Sequence, residues 1–498
     1  MRKQAVPCER LRRHACTLRA AVVVFVLSLS GCMSLAPQYE RPALPVPASW
    51  PNDAPDTSPA SAVNMDWLDY FPDPTLQSLI AQALAQSRDL RIAVQRVEEA
   101  RAIYGVRRAD QFATVDAGAS YVRFRAPGGL LGSGPFIGGG YSVSLMESNW
   151  ELDFWGRVRN LKDAALENFL ASDASRRATT LSLIAQVADS YLVLREFDER
   201  IAIARQTIAS RTESLRIFRR RFEVGAISRL DLTQSEILLE QAQTLAAQLE
   251  QARAADAHAL DVLVGAPAQL SPPSQLDDDS VRADLAAGLP SHLLENRPDI
   301  VAAEHQLRAA NANIGAARAA FFPRVTLTSS IGSSSTALHD LFAAETGSWI
   351  FLPSVSLPIF DAGRNRSNLQ LEEARQKEAV AQYEKIIQSA FRDVADALSA
   401  RDWLADQVRS ARATLGAQTE RARLARLRYD NGATPFLEVL DAQRDLLNAQ
   451  QQLVQIRRAL LSSRVALYAA LGGNMEREAA ADHTPSAANH PTSQVPLQ

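Results

Sequence analysis

Residues 187–226 read VADSYLVLREFDERIAIARQTIASRTESLRIFRRRFEVGA. Val187, Leu194, Ile201, Ile208, Leu215 and Phe222 recur every seven residues, the spacing of a coiled-coil seam. No proline or glycine interrupts the chain from Arg157 to Val224. At 1.5 Å per residue a helix of that extent is ~100 Å long. An ordinary globular domain cannot bury so long a stripe, so the helix must pack against other long helices. Gly225 is suited to end it in a left-handed conformation. Ser228 can then cap a second helix, with Asp231 three residues on. The reading is a helical hairpin with its tip near 225.

The same plan returns about two hundred residues later. At a shift of 210, Asp89, Gly105, Arg108, Ala109, Phe112 and Val115 match Asp299, Gly315, Arg318, Ala319, Phe322 and Val325. From Gly156-Arg157 onward the shift is 207. Val187-Ala188-Asp189 then matches Val394-Ala395-Asp396, and Arg221, Gly225-Ala226, Leu230 and Gly265 match Arg428, Gly432-Ala433, Leu437 and Gly472. Chance likeness of helical sequence would not hold glycines in register, so the chain is a tandem repeat. Val394, Val408, Leu415, Ala422 and Tyr429 continue the seam in the second copy, with Arg401 interrupting it. The second tip falls near 432, with Thr434 expected as cap and Pro435 as first helical residue.

Each copy opens with a helical segment, about 74–110 and 291–320. A glycine- and serine-rich region of β character follows, as a hairpin at about 113–152 and another at about 323–359. Val325, Leu327 and Val355, Leu357, Ile359 alternate with mostly polar residues, as barrel strands do. Four strands cannot close a barrel, and lipid does not tolerate open edges. If these strands cross a membrane, several chains must share one barrel. The expected organisation is a first repeat at 66–270, a linker at 271–289, a second repeat at 290–473 and a disordered tail at 474–498.

The N-terminus carries Arg2, Lys3, Arg10, Arg12, Arg13 and Arg19 ahead of an apolar run, Ala20 to Leu29, too short to span a bilayer. This is the order of a secretory signal peptide, 1–31. Leu29-Ser30-Gly31-Cys32 resembles a bacterial lipobox, which makes Cys32 the acylated first residue of the mature protein. Residues 32–65 hold Pro37, Pro42, Pro45, Pro47, Pro51, Pro55 and Pro59 and are expected as an extended tether. Cys8 and Cys16 leave with the signal, so no disulfide pair remains.

The net charge of −3 falls to about −8 once the signal's +5 is removed, which argues against a nucleic-acid partner. The seven histidines, at 14, 258, 292, 305, 339, 483 and 490, show no metal-ligand spacing. No phosphate loop, nucleophile elbow or dinucleotide fingerprint is present, so no enzyme, metal or cofactor beyond the lipid on Cys32 is expected.

These features, with Tyr429-Asp430-Asn431-Gly432-Ala433-Thr434-Pro435-Phe436-Leu437-Glu438-Val439-Leu440-Asp441-Ala442-Gln443, resemble the TolC/OprM family, and within it the NodT-type outer-membrane efflux lipoproteins. Pro358-Ile359-Phe360-Asp361-Ala362-Gly363-Arg364 and Glu295-Asn296-Arg297-Pro298-Asp299-Ile300 carry the same likeness. The resemblance implies a mainly α protein with a transmembrane β part. As a homotrimer it would form a 12-stranded outer-membrane β-barrel continuous with a long periplasmic α-helical coiled-coil barrel.

It implies the outer-membrane channel of a tripartite efflux pump, lipid-anchored and extending into the periplasm. Its partners would be a periplasmic adaptor (membrane-fusion) protein and an inner-membrane resistance-nodulation-division transporter. The family's periplasmic gate falls on Leu437, Glu438 and Asp441, with Asp231 as the first-repeat counterpart of Glu438. Tyr429 and Arg457 fall where family members hold the tips shut. The adaptor-contact tips match Val224-Gly225-Ala226 and Asn431-Gly432-Ala433.

From the residues alone, Glu438 and Asp441 share a helix face, and three copies around an axis would make an anionic ring. Both acids equally suit the first turns of a helix, where its dipole favours them. The rival readings are a channel for type I protein secretion and a pore-free coiled-coil lipoprotein.

Overall fold

The computed structural model describes residues 34–47, 49–50, 65–127, 135–283, 285 and 293–473. The expected signal peptide, Cys32 and the tail 474–498 lie outside them. In chain order the elements are α1 (Trp67–Tyr70), α2 (Pro74–Gln86), α3 (Arg88–Ala109), β1 (Asp116–Ala126), β2 (Phe136–Glu151), α4 (Arg157–Glu223) and α5 (Arg229–Val264). They continue as α6 (Leu293–Asn296), α7 (Pro298–Ala319), β3 (Arg324–Ser335), β4 (Gly347–Ser356), α8 (Arg364–Asp430) and α9 (Phe436–Ala470). Two 3-10 turns, Leu338–Asp340 and Ala344–Thr346, lie between β3 and β4.

The long helices α4 and α8 are 67 residues each. Val187, Leu194, Ile201 and Leu215 of the predicted seam are buried, as are Val394 and Val408 in the second copy. Each opening helical segment is two helices rather than one. The breaks fall at Ser87 and Arg297, equivalent positions of the two repeats. Arg297 precedes Pro298, whose ring disfavours a helical residue before it. The chain leaving α5 and α9 presses on these breaks. A Cβ on Gly265 would meet the Gln86 carbonyl oxygen at 2.4 Å, and one on Gly472 would meet that of Asn296 at 2.7 Å. That contact explains why both glycines stay in register.

The chain divides into two compact units. One comprises Met1–Ala43, Arg96–Asp173 and Ala302–Glu384. It holds an antiparallel sheet in the order β1-β2-β3-β4. Among the described residues β1 and β4 each keep one unpaired edge. Register sorts the side chains by face. One face carries Ala117, Ala119 and Tyr121, then Tyr141, Val143 and Leu145, then Val325, Leu327 and Ile331, then Trp349, Phe351 and Val355. The other is rich in Ser120, Ser142, Ser144, Thr326, Thr328, Ser330, Ser334 and Ser354, with Gly118, Gly138, Gly140 and Gly332. Val122, Phe124, Phe136, Met146, Ile350 and Leu352 are apolar exceptions on that second face, and Arg123, Arg125, Ser329, Ser333 and Ser335 are polar exceptions on the first.

In the same unit part of the expected extended tether is docked. Residues 34–41 have no regular structure, but they are strapped along α7. Ser34 donates to Asn160 at 2.8 Å, Arg318 to the Leu35 carbonyl at 3.3 Å and Asn311 to the Pro37 carbonyl at 2.8 Å. Tyr39 and Arg41 both donate to Glu304, Arg41 at 2.7 Å. Polar side chains on α7 hold this segment in place.

The other unit comprises Leu44–Gln95, Ala174–Val301 and Lys385–Gln498. Tyr70 stacks on Tyr468 with centroids 4.6 Å apart and donates to the Arg464 carbonyl at 2.8 Å, closing α1 onto α9. Trp50 stacks on Phe391 at 4.7 Å. Among the described residues no helix is long and apolar enough to cross a membrane.

Candidate functional site: the hairpin tips

Both tips close by the same backbone device. The Gly225 N–H donates to Phe222 and the Ala226 N–H to Arg221; in the second copy Gly432 donates to Tyr429 and Ala433 to Arg428. This is the paired 5→2 and 6→1 bonding of a Schellman cap. Gly225 and Gly432 have φ of 72° and 69°, a region where a Cβ is strained. Val224 at the first tip is 69 % exposed, and Asn431 at the second donates from its side chain to the Leu427 carbonyl at 2.8 Å.

Beyond the turns the two copies diverge. Ser228 caps α5 as expected, and Asp231 reciprocates in a full capping box. Asp231 is thereby committed to its own helix. The expected cap at Thr434 does not form. Pro435 occupies the N-cap, with no side-chain hydrogen bond, and α9 begins at Phe436. The Thr434 hydroxyl donates instead to Glu438. The first hairpin's capping serine is Ser228, and proline fills the equivalent place in the second, so the threonine one residue earlier is left to serve the carboxylate.

The two hairpins are tied together by aromatic rings. Phe218 and Phe436 have centroids 4.0 Å apart, and Tyr429 lies 5.1 Å from Phe436. Leu215, Leu232, Leu239, Val439, Leu440 and Ala442 complete this core. Arg221 donates to the Tyr429 hydroxyl at 3.0 Å, joining first copy to second. Leu437 and its counterpart Leu230 point away, 50 % and 65 % exposed.

Neither acid of the expected pair is bare within the protomer. Arg428 sits 3.3 Å from Glu438, and Arg444 lies 3.2 Å from Asp441. Asp445 adds a pairing with Arg421 at 2.7 Å. Arginine partners therefore offset the negative charge that the sequence alone put there. These partners were missed, although Arg221 and Arg428 were visible as a repeated position. Arg457 does not join the tip. It lies about 30 Å up α9 from Phe436, where it binds Glu199 at 3.0 Å, Asp278 at 2.9 Å and the Leu276 carbonyl at 2.7 Å. It fastens the segment between the repeats to α4.

Comparison with known proteins matches this doubled architecture twice. The model of the family described as "Outer membrane efflux protein" matches residues 79–266 and again 289–473. The chain belongs to the outer membrane efflux protein family. It is 41 % identical to the outer membrane protein OprJ of Pseudomonas aeruginosa, over 92 % of this chain and 96 % of that one. The toluene efflux pump outer membrane protein TtgC of Pseudomonas putida is also 41 % identical, over 92 % of this chain and 95 % of its own. The open state of the MtrE outer membrane channel of Neisseria gonorrhoeae superposes with a TM-score of 0.81 at 39 % identity, covering 89 % of this chain and 98 % of that one. The chain is thus an outer-membrane efflux protein, mainly α with a transmembrane β part. The apolar and Ser/Thr/Gly faces of its sheet are what a membrane strand needs, lipid on one side and water on the other.

Proposed function

We propose that the protein works as a passive exit duct, a homotrimer that carries substrates handed over by an inner-membrane pump through a periplasmic adaptor. The observation that carries this reading is the sheet: one face mainly apolar, the other mainly hydroxyl and glycine, and both edges unpaired among the described residues. Lipid requires those edges to be paired, and three copies pairing β1 to β4 supply twelve strands. Acylation at Cys32 adds an anchor ahead of the strap at 34–41. The tips Val224-Gly225-Ala226 and Asn431-Gly432-Ala433 are the surfaces offered to the adaptor. The gate positions are Leu437, Glu438, Asp441 and Asp231, with Tyr429 holding the tip. Arg457 supports it at a distance. The pump is of the resistance-nodulation-division type, and the cargo is small molecules, as the name of TtgC suggests for that relative. No chemical step falls to this chain, and energy comes from the pump.

Single-channel conductance in a planar bilayer tests the duct. Discrete steps from wild type, larger or less cation-selective in Glu438→Ala/Asp441→Ala, are the expected result. Folded oligomer giving no steps would return the pore-free spacer. Steps unchanged by the double substitution would move the gate elsewhere.

A further inference from the structure

The apolar seam of α4 has a second row, three residues after the first, and it contains Ala204, Arg211 and Phe218. All three are buried, with Arg211 only 5 % exposed. Alanine and phenylalanine belong in such a row; a guanidinium does not. Arg211 donates through Nη1 to the main-chain carbonyl of Leu238 on α5, an oxygen inside a helix. Its Nε has no hydrogen-bond partner among the described residues. Burial alone acts on the group and pushes its pKa down, with no carboxylate to counter it.

Arg211 also marks a boundary in the packing. On one side Ile201 and Ala204 of α4 meet Ala246 and Leu249 of α5. On the other, Leu215 and Phe218 meet Leu232, Leu239 and the aromatic core of the tip. Ile208 packs against both clusters. The second repeat shows what is missing. At the same level Gln418 stands for Arg211 and Asp445 for Leu238, and Asp445 accepts Arg421 at 2.7 Å. The second hairpin has a carboxylate for its arginine. The first has the arginine and a leucine.

We propose that Arg211 is the hinge of the first hairpin, the level at which the tip-ward segment of α4 and α5, with the second-hairpin residues packed on it, moves as one body against the rest. Parting the helices there admits water to an under-bonded charge, so opening at this level is less costly than at an apolar one. The clusters on either side stay packed and give the two bodies their stiffness. The inference deepens the gate reading and rests on it for its purpose, though not for its test.

Hydrogen–deuterium exchange on the full-length protein in detergent decides it, with Arg211→Met and Leu238→Asp beside wild type. Methionine restores an apolar seam; aspartate supplies the absent carboxylate by the precedent of Asp445. Both variants are expected to slow exchange across 212–238 by tenfold or more, with α7 unchanged. Exchange at the wild-type rate or faster in both variants overturns the hinge, whatever the channel does. Slowed exchange with unaltered channel opening upholds the hinge and refutes its part in the gate.

Discussion

The acids at the tip invite attention, yet Phe436 makes the larger packing contribution there. This ring is buried, lies 4.0 Å from Phe218 and 5.1 Å from Tyr429, and joins the two repeats. Replacing it by alanine removes its transfer energy and leaves a cavity, together about 3–5 kcal/mol. At a factor of ten per ~1.4 kcal/mol, local opening of the tip should become on the order of 10²- to 10³-fold more frequent. Glu438 makes the contrast. Its partner Arg428 lies 3.3 Å away, with side chains 39 % and 57 % exposed, and an exposed pair contributes about 0–1 kcal/mol. Glu438→Gln keeps an acceptor for Thr434, so opening should rise by about fivefold at most. Hydrogen–deuterium exchange over 215–240 and 425–445 reads both variants, with α7 as internal reference. Equal acceleration by Glu438→Gln and Phe436→Ala would refute the reasoning and assign the stability of the tip to its charges.

Two further outcomes concern the N-terminal strap. Gly315→Ala should dislodge residues 34–41, because the new Cβ would meet Asn160 Nδ2 at 2.5 Å and the Ala36 nitrogen at 2.8 Å; the repeat-equivalent Gly105→Ala meets nothing within 4 Å and should leave the protein equally or slightly more stable, by up to ~1 kcal/mol. Limited proteolysis after Arg41 separates the two. Acid should release the same strap. Burial raises the Glu304 carboxyl, but Arg41 and Arg308 outweigh it and hold the pKa below the usual range. The strap's stabilisation is therefore present above the unfolded glutamate pKa and is lost as pH falls through the lower folded one. Proteolysis across a pH series should show that loss in wild type and a weaker pH dependence in Glu304→Gln.

The seven-residue seam, the glycine tips and the constant shift of 207 are all legible in the sequence, because each is a property of chain order. Helix periodicity is local, a left-handed turn favours glycine wherever it occurs, and a duplication keeps its spacing. The alternation in Val325, Leu327 and Val355 likewise announced strands with two unlike faces. What the sequence could not reach were contacts between segments far apart in the chain. Nothing in the order of residues reveals that Arg428 faces Glu438, that Arg221 reaches Tyr429, or that Arg457 clamps Asp278 instead of the tip. The strap shows the same division: Glu304, Asn311 and Gly315 on a helix some 270 residues away decided where it lies. Local conformation follows from what each residue permits by itself, but partners are chosen by the packing of distant helices, and only the folded chain brings those side chains within hydrogen-bond distance.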